Sequence, residues 1–292
     1  MRVLVTGGTG FIGGPVARAL RAAGHDVTIV SRQPGYVPAK AIVWDGVRAA
    51  MAETDAVVNL AGESIAEGRW TSARKAAIVT SRVEGTRAIV AAIADSAKRP
   101  QVLVSASAIG LYGPRGDEEL DETAGAGEGF LARLCTQWEA EAWRAKAFDV
   151  RVTALRIGVV LGPGGGAVGK MLIPFRAGLG GRLGSGKQWM SWIHRDDVVG
   201  LVLAALERAA YTGPVNATAP APVRNRDFTK ALAHAVHRPA ILPVPGIALR
   251  LVLGEMADML LTGQRVVPKV ATAAGYAFKY PELAGALAAS VD

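Results

Sequence analysis

Three glycines near the start of the chain carry the strongest chemical signal. Thr6-Gly7-Gly8-Thr9-Gly10-Phe11-Ile12-Gly13 joins the apolar run Arg2–Thr6 to an amphipathic stretch, with Gly7, Gly10 and Gly13 in GxxGxxG spacing. Glycine at the first positions lets the backbone turn sharply and approach a pyrophosphate, and at the last it lets a helix pack closely on the strand. The helix start then offers free N–H groups and a partial positive charge to phosphates. Three glycines also build a plain tight turn, but this strand–turn–helix setting predicts dinucleotide binding by Gly7, Thr9, Gly10, Phe11, Ile12 and Gly13.

The end of the second apolar run bears on which dinucleotide. An NAD site places Asp or Glu there for the ribose hydroxyls, whereas this chain has Ser31-Arg32. A carboxylate repels a 2′-phosphate, and an arginine pairs with one through two N–H groups. Ser31 and Arg32 therefore predict NADP(H) as the cofactor.

The elements that must position these residues are legible as an alternation. Arg2–Thr6, Val27–Val30, Ala56–Leu60, Val102–Ser105 and Val152–Ile157 are short, continuously apolar and β-branched, as strands covered on both faces are. Helical patterns over Gly14–Ala23, Arg74–Ala94 and Phe130–Ala147 lie between them, which argues for an α/β fold with a doubly wound parallel (Rossmann) sheet. Beyond Leu161 a Gly-rich loop with one short helix around Lys170–Arg176 precedes a helix over Asp196–Arg208 and a strand over Pro214–Ala217. The final stretch is helical and rich in Ala and Leu. The expected division is an NADP-binding domain of residues 1–162 with about 188–218, and a smaller, mostly helical substrate-capping region of 163–187 and 219–292.

Composition narrows the class. Of 292 residues half are hydrophobic and a fifth charged, which supplies a sizeable core and excludes disorder. No apolar run spans a bilayer and no signal-peptide pattern opens the chain, so a cytoplasmic protein without a membrane partner is expected. A single cysteine, Cys135, excludes an internal disulfide and a cysteine zinc site, and no metal-ligand spacing links the four histidines. The net charge of +8 is spread along the chain without a Lys/Arg run, so it points to an anionic small ligand rather than nucleic acid.

The glycine turn, Ser31-Arg32 and Asn59-Leu60-Ala61-Gly62 together resemble the extended short-chain dehydrogenase/reductase superfamily. The ordered motifs NLAGE (59–63), SASAIGLYG (105–113), GVVLGPGGG (158–166), SWIHRDD (191–197), NATAP (216–220), GEMAD (254–258) and GQRVVP (263–268) are similar to its atypical branch, the epimerase family of nucleotide-sugar-epimerase-like proteins. The resemblance implies that Trp44 and Asp45 lie near the adenine and that Leu60, Ala61 and Gly62 pass beneath the cofactor. It also implies that Ser105, Ser107 and Gly158–Val160, Val160 included, flank the nicotinamide.

Two departures from that pattern bear on catalysis. The superfamily's Tyr-x-x-x-Lys pair, in which the lysine makes a tyrosine titrate usefully, has no counterpart in Phe130–Ala147, which holds no tyrosine. An asparagine of the superfamily's NVxGT pattern is replaced by Arg82, which is expected to face the site and bind cofactor phosphate or a substrate anion. Counted back from Tyr112-Gly113, the superfamily's catalytic serine falls on Ala108 without a gap or on Ser107 with one inserted residue, and Ser107 is favoured for its hydroxyl; Tyr112 is the nearest tyrosine, with core packing at least as good an alternative.

Other chemistry is thinner. From Val150 through Arg195 no Asp or Glu occurs, whereas Arg151, Arg156, Lys170, Arg176, Arg182, Lys187 and Arg195 do, which suggests a basic lid over an anionic substrate. His194 is expected at a helix start, Cys135 as an inert buried thiol, the acidic run 117–122 as a solvated loop, and Trp70 either stacked on substrate or in the core. The expected function is an NADP(H)-dependent oxidoreductase or epimerase acting on a small, anionic, carbonyl or sugar-like substrate. The alternative is an NADP(H)-binding sensor or scaffold with reduced catalysis, and the sequence admits a homodimer.

Overall fold

Residues that are apolar on both sides of a strand need two covering layers, and the fold supplies them. The structure is a computed structural model that describes residues 1–37 and 39–291. Strands β1 (Arg2–Thr6), β2 (Asp26–Val30), β3 (Ala41–Ile42), β4 (Ala56–Asn59), β5 (Val102–Ala108), β6 (Arg151–Ile157) and β7 (Gly213–Ala217) form one parallel sheet. Its order is β7-β6-β5-β4-β1-β2-β3, so the chain reverses direction across the sheet between β1 and β4. Ligands of open α/β sheets bind in the crevice outside the strand ends at such a reversal.

The helices are α1 (Gly13–Ala22), α2 (Val47–Met51), α3 (Ser72–Asp95), α4 (Phe130–Trp143), α5 (Gly166–Arg176) and α6 (Arg195–Glu207). Strand residues alternate between faces. Val3, Val5, Val58 and Val104 therefore pack with Val16 and Leu20 of α1 and Leu201 and Val202 of α6. Leu4, Val57, Leu103 and Val152 pack on the other side with Met51, Ile89, Ile93 and Ala142. Thr71 starts α3 by accepting the Arg74 N–H through its hydroxyl.

Three features differ from the expectation. β5 continues to Ala108, because its outer neighbour β6 pairs with it along the whole run from Val102 to Ala108. The short β3 was not anticipated, since two residues carry no periodicity. The helix expected over Phe130–Ala147 stops at Trp143 and tightens into a 3₁₀ turn over Arg144–Phe148, closed by Asp149 in a left-handed conformation.

The remaining chain forms α7 (Asn225–Ala235), α8 (Gly246–Leu253), α9 (Ala257–Leu261), α10 (Lys269–Ala273) and α11 (Leu283–Val291). Phe175, Trp192, Phe228, Leu232 and Leu287 make a separate apolar cluster there. Short ladders tie it down: Val159–Leu161 with Trp192–His194, Trp189–Met190 with Val223–Arg224, and Glu119–Leu120 with Arg265–Val266. Ala271 of α10 joins the core of the main sheet, so the C-terminal stretch is anchored on it. Among the described residues no helix is long and apolar enough to cross a membrane.

Leu20 is fully buried between α1, the sheet and α6. Leu20→Ala should lower the unfolding free energy by about 2–5 kcal/mol, seen as a lower urea midpoint at unchanged slope.

Candidate functional site: the crevice between β1 and β4

The glycine turn is built so that backbone takes the place of side chains. Gly7 has φ +68°, and a Cβ there would stand 2.7 Å from the Leu60 carbonyl. A Cβ on Gly13 would stand 2.1 Å from the Gly7 oxygen. The turn closes through Gly10 N–H to Gly7 O at 3.0 Å. Thr6 fastens it to the neighbouring loop: its hydroxyl donates to Asn59 Oδ1 at 2.7 Å and accepts the Ala61 N–H at 3.1 Å. Ile12, at the N-cap of α1, contributes no side-chain cap, so the first-turn N–H groups are left to an anion.

Phe11 leaves the turn and is covered by the loop that begins α5. A Cβ on Gly165 or Gly166 would collide with its ring, Val160 O lies at the same spot, and the Arg195 guanidinium sits 4.9 Å from the ring centre. Ser31 and Arg32 follow β2. Ser31 Oγ accepts the Gln33 N–H, and Arg32 extends into solvent with one loose contact, Nη1 to Glu63 Oε1 at 3.4 Å. Trp44 and Asp45 wall a shallow groove with Ala88 and Ala91 of α3, and the Trp44 ring approaches Gly85.

Arg82 occupies the floor. Its guanidinium lies where a Cβ on Gly62 would be, at 2.9 Å, and stacks on Trp138 at 5.2 Å. Nη1 donates to Ile78 O at 3.3 Å, and among the described residues no carboxylate pairs with it. Burial lowers its pKa, which marks a charge short of compensation. Trp138 is itself held by its Nε1–H to Thr86 Oγ1, which also accepts from Asn59. The structure thus brings together the glycine turn, Leu60–Gly62 and Arg82, with Arg32 at one mouth.

The serines and the tyrosine lie deeper. Ser105 is buried, its Oγ accepting from Asn59 Nδ2 at 3.4 Å. Ser107 is also buried and donates to Glu139 Oε1 at 2.6 Å. Glu139 forms a double bond pattern with Arg156, Nε to Oε1 at 2.9 Å and Nη2 to Oε2 at 3.0 Å. Arg156 Nη1 reaches Tyr112 OH at 2.9 Å, and Tyr112 donates to Asn216 Oδ1 at 2.7 Å. Asn216 in turn gives its backbone N–H to Glu122 Oε1.

This network corrects the acid/base reading of Tyr112. The phenol is fully enclosed with donor and acceptor both used. Burial raises its pKa, the opposite of what proton exchange at neutral pH requires. Ser107 has its proton committed to Glu139. Beside it Cys135 is a buried thiol pushed up to about 11 by desolvation, inert as expected. For Arg156, burial works against the charge, but the bonds and charge of Glu139 outweigh it and hold the guanidinium protonated.

The basic lid shrinks accordingly. Arg156 is in the core network, and Arg151 donates to the Ala205 and Leu206 carbonyls at the end of α6. Lys170, Arg176, Arg182, Lys187 and Arg195 remain on the capping side. The acidic run is not a free loop: Glu122 is buried, Asp121 bonds Lys269, and Asp117 bonds Arg224. Trp70 is core, its Nε1–H on Ile65 O and its ring on Phe130. His194 caps α6, Nδ1 accepting the Asp196 N–H, with its ring 4.0 Å from Tyr280.

Sequence reasoning missed Glu139 as the partner of Arg156. The signal was present: the buried stripe of α4 runs Cys135, Trp138, Glu139, Ala142, and a carboxylate on an apolar stripe needs a buried cation.

Two outcomes follow. Glu139→Gln leaves Arg156 charged without its counter-charge and should cost about 3–5 kcal/mol in urea unfolding. Burial lowers the pKa of His194 below the usual 6.5, so the folded state binds fewer protons than the unfolded chain. Its contribution is complete above about pH 6.5 and lost as pH falls below it. His194→Asn, which keeps a capping acceptor, should flatten the fall in stability between pH 7.5 and 5.5, read from urea midpoints.

Residues 3–217 match the NAD dependent epimerase/dehydratase family, and residues 244–290 match a domain of unknown function, DUF1731. The chain is similar to the epimerase family protein SDR39U1 of Bos taurus, 45% identical over 98% of both chains. It is also similar to the epimerase family protein YfhF of Bacillus subtilis, 38% identical over 98% of this chain and 97% of that one. The crystal structure of human epimerase family protein SDR39U1 (isoform 2) with NADPH matches with a TM-score of 0.94 and 41% identity, covering 100% of this chain and 99% of that one. UDP-glucuronic acid 4-epimerase from Bacillus cereus, at 17% identity and a TM-score of 0.82, shares the fold. With most of its length matched by the family, and relatives this similar from end to end, the chain belongs to the NAD dependent epimerase/dehydratase family.

Proposed function

We propose that the protein is an NADP(H)-dependent oxidoreductase or epimerase that acts on a small anionic carbonyl or sugar-like substrate. The observation that carries this reading is Arg82: a guanidinium stacked on Trp138 and set against Gly62, without a carboxylate partner among the described residues, beside the loop on which the glycine cradle packs. The cradle fits the cofactor. Gly7, Gly10, Gly13 and the start of α1 would hold its pyrophosphate, and Ser31 with Arg32 its 2′-phosphate. NADPH in the human relative's structure supports that choice.

When bound, NADP(H) supplies a hydride to a carbonyl carbon, or NADP takes one from an alcohol. Arg82 attracts and orients an anionic group and stabilises charge that develops on a substrate oxygen. Because guanidinium does not release its proton, and because Tyr112 and Cys135 are sealed away, the substrate proton is exchanged with water in the crevice. Lys170 donates from α5 to the Ala66 carbonyl and ties α5 to the 61–70 loop.

A second reading, an NADP(H)-binding sensor or scaffold, is favoured by one observation. The turn of α4 that faces Ser107 presents Cys135 and Glu139, where a tyrosine and a lysine would give proton transfer.

Fluorescence titration with NADPH and NADH separates the possibilities in order. Micromolar NADPH binding, NADH weaker by at least about tenfold, and loss of that difference in Arg32→Ala are expected for a pairing worth about 1.4 kcal/mol or more. NADPH oxidation across a panel of keto acids and sugar nucleotides should then be stimulated by some members and abolished in Arg82→Gln. Tight NADPH binding with no oxidation by any member favours the sensor, and equal binding of both cofactors removes the role of Arg32.

A further inference from the structure

The capping region carries an apolar surface that the rest of the fold leaves uncovered. Among the described residues nine large hydrophobic side chains are exposed, and seven of them are Ile173, Leu179, Ile241, Leu242, Ile247, Leu251 and Val252. Ile173, Ile241, Ile247 and Leu251 are each between 73% and 78% exposed, too open to be core residues at the edge of a cluster. Helix α8 has no buried residue, although Arg250 is its only charged one.

Two stretches some sixty residues apart in sequence carry these side chains, and they run side by side where residues 181–184 meet 242–244. Leu183 bridges Val244, Gly184 N–H bonds Val244 O at 2.9 Å, and Val244 N–H bonds Arg182 O at 2.9 Å. Gly181 lies against the Leu242 carbonyl, and Arg238 Nε bonds Arg176 O at 3.3 Å. The same stretches are basic without relief. Residues 163–187 and 237–252 contain Lys170, Arg176, Arg182, Lys187, Arg238 and Arg250, and no Asp or Glu; of these Lys170 is turned to the Ala66 carbonyl, which leaves five for the outer face. Among the described residues only Arg250 of these six has a carboxylate partner, Asp258 at 3.2 Å.

We propose that this face docks on the surface of an anionic phospholipid bilayer. Apolar side chains set among cations match the boundary between acyl chains and headgroups, where the former leave water and the latter meet phosphate. Charge selects this occupant over a second copy of the chain. A symmetric contact would place each basic face on its like, in a protein of net charge +8. Attachment is peripheral, since no described helix is both long and apolar enough to span. The absence of a spanning run led to the expectation of no membrane partner, and a patch assembled from two distant stretches leaves no such run to read. The inference stands apart from the cofactor reading.

The test is co-sedimentation of the full chain with vesicles of phosphatidylcholine alone and of phosphatidylcholine with phosphatidylglycerol. At least about tenfold more binding to the anionic vesicles is expected, weakened by salt. Leu251→Glu and Ile247→Glu, both at exposed positions, should reduce it at least about tenfold while circular dichroism and NADPH titration stay unchanged. A charge-reversed Arg176→Glu/Arg182→Glu variant should lose the preference for anionic vesicles. Any of three results overturns the proposal: equal or absent binding to both vesicles, binding only to dispersed short-chain phosphatidylglycerol, or a dimer by light scattering that Leu251→Glu dissociates.

Discussion

Arg156 stands in a strand of the sheet with almost none of its surface in water. A guanidinium there is tolerable only if its charge is balanced and its fork of N–H donors is largely filled. Glu139 supplies the charge and two acceptors, and Tyr112 and the Glu122 carbonyl supply two more, so four of the five N–H donors are used. Because those partners come from α4, from the turn after β5 and from the segment beyond it, the ion pair fixes how three elements meet at the carboxyl edge of the sheet. Ser107 and Asn216 are satisfied only once it is in place.

That pair also shapes the chemistry above it. A carboxylate turned inward on α4 cannot hold a ribose, and a tyrosine bonded on both sides cannot exchange a proton with a ligand. The available cation at the crevice is instead Arg82, carried on α3 and braced by an indole that Thr86 holds in place. An arginine differs from a lysine–tyrosine pair in kind: it orients and stabilises anions and does not deliver protons.

The capping region is joined to this centre by small contacts. Lys75 to Glu255 at 2.6 Å, Arg69 against Gly254, and Leu253 packed near Trp70 tie its α8 end to the loop that follows β4. Its other end covers Phe11 with glycines whose missing Cβ atoms make room for the ring. Both attachments tie the C-terminal region to the main domain, and exposed apolar side chains such as Ile247 and Leu251 lie outside them.

The alternation of apolar runs and amphipathic stretches determined the α/β class and most strands to within a residue or two, because a parallel sheet covered on both faces leaves an uninterrupted local pattern. The glycine turn was equally legible: its spacing is a local backbone requirement, seen in the close approach of Gly7 to Leu60 and of Gly13 to Gly7. The direction of Arg82 followed from register along one helix. What only the tertiary structure decided are the pairings between distant segments. Nothing local says that Arg156 meets Glu139 rather than a substrate, that Tyr112 is locked by Asn216 a hundred and four positions later, or that Leu183 lies beside Val244. Charges and hydroxyls are read from sequence as available groups, and whether a buried partner has already used them is settled by packing across the whole chain.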